Sequence, residues 1–130
     1  LTKWQQKRQR VLKNWLEDEW HVYPHYVRTF ESETLDELMA RLTKECGNVL
    51  LATRRYKYVA RIVNAIDAVY ARLPRQAKQL VQVRYWNSPN ILKMKDTASR
   101  LGMSAMHAAK INRSIMHAIA DVLGCIWLGK

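Results

Sequence analysis

Glycine and proline are scarce in this sequence, four and three residues in 130. Sandwiches and barrels need frequent tight turns, so the scarcity excludes a many-stranded β architecture and favours helices. Cysteine is nearly absent. Cys46 and Cys125 stand far apart, which leaves no disulfide framework and no metal-type cysteine pair. Free thiols in a reducing compartment are expected. No apolar run approaches the ~20 residues that span a bilayer. The opening Leu1–Arg8 segment is polar and basic, unlike a secretory leader, so no membrane association and a cytoplasmic location are expected. The sequence also lacks a phosphate-cradling glycine loop and a Gly-x-Ser-x-Gly elbow. What it has is a hydrophobic content of 48%, enough for a packed core and too much for a disordered chain.

Charge is the strongest compositional signal. The net charge is +11. Residues 1–48 carry eight basic and eight acidic side chains, which cancel. Residues 49–130 carry fourteen basic side chains against Asp67, Asp96 and Asp121, so the whole imbalance sits there. A polyanion is the expected partner, and the second part of the chain is where it should bind.

The helical punctuation is clear. Thr2 with Gln5 and Thr34 with Glu37 have the spacing of capping boxes. The first opens a helix with Trp4, Val11, Leu12, Trp15, Leu16 and Trp20 at helical intervals, expected to end before Pro24. The second opens a short helix with Leu35, Leu38, Met39 and Leu42, stopped by Gly47. Asn48 can cap a helix over 49–73, whose stripe is Val59, Ile62, Val63, Ile66, Val69, Tyr70 and Leu73. On another face of that helix Arg54, Lys57, Arg61 and Arg72 line up. They could follow a phosphate backbone as secondary contacts or form a solvated face. Pro74 can begin a further helix at its first position, running over 75–86. Asn87–Asn90 is a loop. Two more helices are expected near 94–101 and 104–123, with Gly124 closing the last. The apolar tail Cys125–Leu128 should pack back or meet a partner.

The informative stretch is 95–113. A helix-turn-helix needs a small residue where its two helices cross, and Ala98 supplies it. It needs a turn residue that accepts positive φ, and Gly102 supplies that four positions on. Ser104 can cap the incoming helix. Leu101, Met103, Ala108, Ile111 and Ile115 then fall inward. The outer face carries Ala105, Met106, Ala109, Lys110 and Arg113, with His107 near its edge. In a major groove Lys110 and Arg113 would meet phosphate or guanine, and Ala105 and Met106 thymine methyls. Lys93, Lys95 and Arg100 on the preceding helix would hold the backbone.

Leu73-Pro74, Lys78, Leu80-Val81, Val83-Arg84-Tyr85, Ala98, Leu101-Gly102 and Ser104 together resemble region four of bacterial sigma factors. With the long preceding helix, residues 56–124 are most similar to phage transcriptional activators of the RinA and ArpU type. The resemblance implies a sequence-specific, double-stranded DNA-binding regulator that contacts RNA polymerase. Three features depart from the pattern: a long loop at Asn87–Leu92, Lys93 in place of a hydroxyl cap, and alanines at 105 and 109 on the reading face.

The remaining constellations point to packing or solvated surface. His21 and His25 have the spacing of a helical metal pair, but Pro24 lies between them and no third ligand is near. His117 reads as a packing residue. Glu17-Asp18-Glu19, with Glu31 and Glu33 beyond, reads as a solvated acidic face or a surface for a basic partner. Trp4, Trp15 and Trp20 would pack on the 49–73 helix or form a homo-oligomer interface. The expectation is therefore an all-α protein of about six helices. Residues 1–48 form an N-terminal helical extension for packing or oligomerisation. Residues 49–130 form a DNA-binding domain with its helix-turn-helix at about 94–123. No enzyme, metal or cofactor is expected. A phage DNA-packaging subunit of the small-terminase kind and a helical module that binds protein or RNA are the other readings.

Overall fold

A computed structural model describes residues 1–125, so the apolar tail beyond Cys125 lies outside the described residues. The described residues form six α-helices: α1 (Lys3–Ser32), α2 (Leu35–Cys46), α3 (Val49–Arg72), α4 (Arg75–Val81), α5 (Met94–Leu101) and α6 (Ala105–Leu123). Among the described residues there is no strand, as expected for an all-α chain. None of these helices is long and apolar enough to cross a membrane. Both cysteines are free.

Local chemistry starts most of the helices where the sequence places them. The Thr2 hydroxyl accepts from the Gln5 amide at 3.1 Å, and the Gln5 side chain accepts from the Thr2 amide at 2.9 Å. Thr34 and Glu37 repeat this reciprocal pair. Asn48 accepts from the Leu51 amide at 2.9 Å. Each cap satisfies a backbone donor that the helix cannot, worth ~1 kcal/mol. Pro74 sits one position earlier than expected, as the extended residue before α4. The helix expected over 75–86 also changes form: after Val81 the backbone widens to a π-helical turn, Gln82–Trp86, closed by the Asn87 amide on the Gln82 oxygen at 2.8 Å.

The first helix departs most from expectation. It does not end before Pro24 but continues through it to Ser32. A proline inside a helix removes the amide that the carbonyl four residues back would receive. Here that carbonyl belongs to Trp20, and the Trp86 indole N–H donates to it at 2.9 Å. The lost bond is replaced from another element, so the helix can go on. Trp86 is held there by ring contacts with Tyr23, Tyr70 and Trp20, at centroid distances of 5.2, 4.7 and 6.3 Å.

One core joins α1 to α3, α4, the π-turn, α5 and α6 through Leu16, Trp20, Ile66, Leu80, Tyr85, Ala98, Ala108, Ile115 and Met116. A smaller cluster, Leu38, Leu42 and Ala52 with Phe30 and Tyr56 against it, fixes the α2–α3 hairpin. The tryptophans divide accordingly. Trp20 is fully buried, Trp15 donates to the Tyr58 hydroxyl at 2.8 Å, and Trp4 stays 66% exposed. α1 enters the main core through Leu16 and Trp20, with Leu12, Trp15, Tyr23 and Tyr26 packed against it.

Candidate nucleic-acid interface

The turn between α5 and α6 is built by three residues. Ala98, 2% exposed, lies on the buried face of α5 and lets that helix come close to its neighbours. Gly102 ends α5 with φ of 67°, in the left-handed region that favours glycine. The Met103 amide then donates to the Ala98 oxygen at 3.1 Å, closing the end as a Schellman turn does. A β-carbon at Gly102 would meet open space, so the requirement there is conformational rather than steric. Ser104 accepts from the His107 amide at 3.1 Å and starts α6.

From that start α6 divides into two faces. Ala108, Asn112, Ile115, Met116 and Ile119 are buried, with Leu101, Met103 and Ile111 half-buried beside them. Ala105, Met106, His107, Lys110 and Arg113 are exposed and Ala109 is half-buried. Met106 is 73% exposed, a large apolar side chain left in water at the helix start. On α5 and just before it, Lys93, Lys95 and Arg100 are exposed as well. None of these five basic side chains has an ion-pair partner among the described residues; the ion pairs there involve Lys13, Arg41 and Arg84. His107 is held at the border of the face, its Nε2 3.2 Å from the Gln76 Oε1 of α4.

Arg54, Lys57 and Arg61 of α3 are not brought to this face. α3 and α6 run antiparallel: Leu73 and Pro74 line a cleft with Ile111 and Ile115, while Arg61 donates to the Leu123 oxygen at 2.7 Å. Arg61 thus satisfies a carbonyl at the C-terminus of α6, where a cation also suits the helix dipole. Leu123 lies thirteen residues beyond Lys110, ~20 Å along the helix. Arg54 and Lys57 are exposed beyond that end, away from the first turns of α6.

What fixes the rotation of α6 is a buried polar network that the sequence pattern alone does not reveal. Asn112, 1% exposed, shares its face with Ala108 and Ile115. The Tyr85 hydroxyl, with one proton to give, lies between two acceptors, 2.5 Å from the Asn112 Oδ1 and 2.8 Å from Glu17 Oε2. Arg84 donates to the same Glu17 oxygen at 2.6 Å, and Asn112 Nδ2 to it at 3.3 Å. Arg84 also donates to the Leu92 carbonyl, pinning the long loop before α5. Glu17 is therefore not part of a solvated acidic face: it is 7% exposed and faces three donor groups. Burial pushes its carboxyl upward, but the hydrogen bonds from Arg84 and Tyr85 and the Arg84 charge outweigh that, and it lies below the ordinary value. The same burial, with the Glu17 charge beside it, pushes the Tyr85 phenol upward. The signal for this site is Asn112 itself, a polar residue on an otherwise apolar stripe.

His21 clasps the same region. Its Nδ1 lies 2.7 Å from the main-chain oxygen of Tyr85 and its Nε2 3.1 Å from that of Pro89. Among the described residues no cluster of histidine, cysteine, aspartate or glutamate could hold a metal ion. Comparison with protein-family models, with curated proteins and with solved structures finds no match.

Proposed function

We propose that this protein is a double-stranded DNA-binding transcriptional regulator, that α5, the Gly102 turn and α6 form its helix-turn-helix, and that α6 reads a major groove. One observation carries the reading: the first half of α6 leaves Met106, Lys110 and Arg113 exposed and unpaired, on a helix whose opposite face is locked into the core. A groove about 12 Å wide admits a helix presented in this way. Lys110 and Arg113 then meet guanine edges or phosphates, Ala105 and Met106 meet thymine methyls, and Lys93, Lys95 and Arg100 grip the flanking backbone. The likeness of residues 56–124 to sigma region four and to the RinA and ArpU type supports the same use and adds RNA polymerase as a second partner.

The test is selection from a random duplex pool followed by anisotropy titration. A shared sequence should emerge, with affinity that falls steeply as salt rises. In the Lys110→Ala, Arg113→Ala variant the preference for that sequence should fall by about 1–3 kcal/mol for each base edge no longer read. No enriched sequence, or full preference in the variant, would remove α6 as the reading element.

A further inference from the structure

The neutral sum of residues 1–48 hides two opposite parts. Residues 1–16 carry Lys3, Lys7, Arg8, Arg10 and Lys13 and no acid; every acidic residue of the chain lies at Glu17 or beyond. In the structure these turns of α1 pack through Gln5, Gln9, Leu12 and Leu16, which are buried or half-buried. Lys3, Lys7 and Arg10 recur at i, i+4 and i+7, so they share one face, turned away from the packed one. All three are exposed and none has an ion-pair partner among the described residues, whereas Lys13, one turn on, approaches Glu17 at 3.9 Å.

Local electrostatics oppose this arrangement. The positive end of the helix dipole disfavours cations in the first turns, and Lys3 and Lys7 repel across one turn. α2 shows the usual solution, with Asp36 and Glu37 in its first turn and Glu37 closing its capping box. α1 closes the same box with neutral Gln5 and has no acid in its first turn. Lys13 has Glu17 one turn on and Arg8 lies over the Trp4 ring at 5.7 Å, but helix stability gives no reason for Lys3, Lys7 and Arg10 on one face without an anion. A polyanion laid along the face removes both penalties.

We propose that Lys3, Lys7 and Arg10 of α1 form a second, sequence-independent contact to the phosphate backbone of duplex DNA. The face spans ~10 Å of helix, a length over which the duplex presents about six phosphates. The proposal takes the identity of the polyanion from the reading of α6, and the fold joins the two: Glu17 fastens α1 to Asn112 of α6, and Arg10 lies ~10 Å along α1 from that anchor. An anionic bilayer fits less well. Trp4 and Val11 are exposed, but two apolar residues in three turns do not make the broad apolar face that a membrane-surface helix inserts.

The experiment compares the full chain with a Lys3→Ala, Lys7→Ala, Arg10→Ala variant on selected and scrambled duplexes across a salt series. Exposed alanines suit a helix, so circular dichroism should be unchanged. The slope of log affinity against log salt should flatten by about 2–3, and affinity should fall several-fold alike on both duplexes. An Arg28→Ala, Lys44→Ala variant should leave the slope nearly unaltered. The inference is overturned by an unchanged slope in the triple variant, by an equal loss in the Arg28 and Lys44 variant, or by a loss seen only on vesicles of anionic lipid. The Lys110→Ala, Arg113→Ala variant separates the two claims. If it binds as the parent while the triple variant weakens, the α1 face stands and the α6 reading falls. If it alone loses binding, the reverse holds.

Discussion

The indole N–H of Trp86 lies 2.9 Å from the main-chain oxygen of Trp20, the acceptor that Pro24 deprives of its helical donor. This bond lets α1 run to Ser32 and ties it to the π-turn. It also makes a coupled prediction. Trp86→Phe leaves a buried carbonyl unsatisfied, at about 1–3 kcal/mol. In a Pro24→Ala background the backbone supplies an amide to the same oxygen, so the Trp86→Phe cost should shrink by about 1 kcal/mol or more. Urea unfolding of the four proteins measures this; additive costs would show that the indole bond does not replace the missing amide.

What could be read from the sequence was decided within a few residues. Both capping boxes, the Asn48 and Ser104 caps, and the Gly47 and Gly102 stops need only neighbours three to five positions away, and all appear in the structure. What could not be read was decided at long range. Pro24 looks like a helix end until the donor 66 residues beyond Trp20 is known. Glu17 looks solvated because Arg84, Tyr85 and Asn112 lie 67, 68 and 95 positions away. Arg61 looks like part of a phosphate-binding row, yet its partner is the carbonyl of Leu123, 62 residues on. The exposed side of α6 was legible because it follows from the period of its own apolar residues.

The Glu17 network sets the response to acid. Its carboxyl lies below the ordinary 4.5, so the folded state holds the ionised form more strongly than the unfolded chain does. The resulting stabilisation is complete above that value and is lost as pH falls through the lower, folded one. Burial pushes Glu19 the other way, against hydrogen bonds from Tyr58 and Tyr26, so its contribution favours low pH and fades as pH rises. Glu17→Gln should cost about 3–5 kcal/mol near neutrality, because Arg84 is left buried without its counter-charge. The difference from the parent should narrow in denaturant titrations as pH falls below 4.5 and through the lower, folded value. A constant difference across pH would show that Glu17 is not bound as described.

Gly102 is needed for its backbone angle alone. With φ of 67° and open space where a β-carbon would go, Gly102→Ala should cost about 1–2 kcal/mol with no repacking. Gly102→Asn should cost less, because asparagine tolerates the left-handed region better than alanine does. Thermal unfolding of the pair ranks them. Equal losses would mean that the turn tolerates neither side chain and that crowding, not conformation, sets the cost.

Met106 separates function from stability most cleanly. It is 73% exposed at the start of α6 and absent from the core, so Met106→Glu should change folding stability by no more than ~0.5 kcal/mol. Glutamate in the first turn even suits the helix dipole. In the proposed complex, however, the new carboxylate would stand among phosphates and base acceptors, and Lys110, four residues on along the same face, would pair with it instead of with the duplex. Binding to the selected duplex should fall by at least tenfold, while the melting temperature stays within a few degrees. A variant that keeps both its stability and its affinity would put the exposed side of α6 outside the DNA contact, because no other role in the fold depends on that side chain.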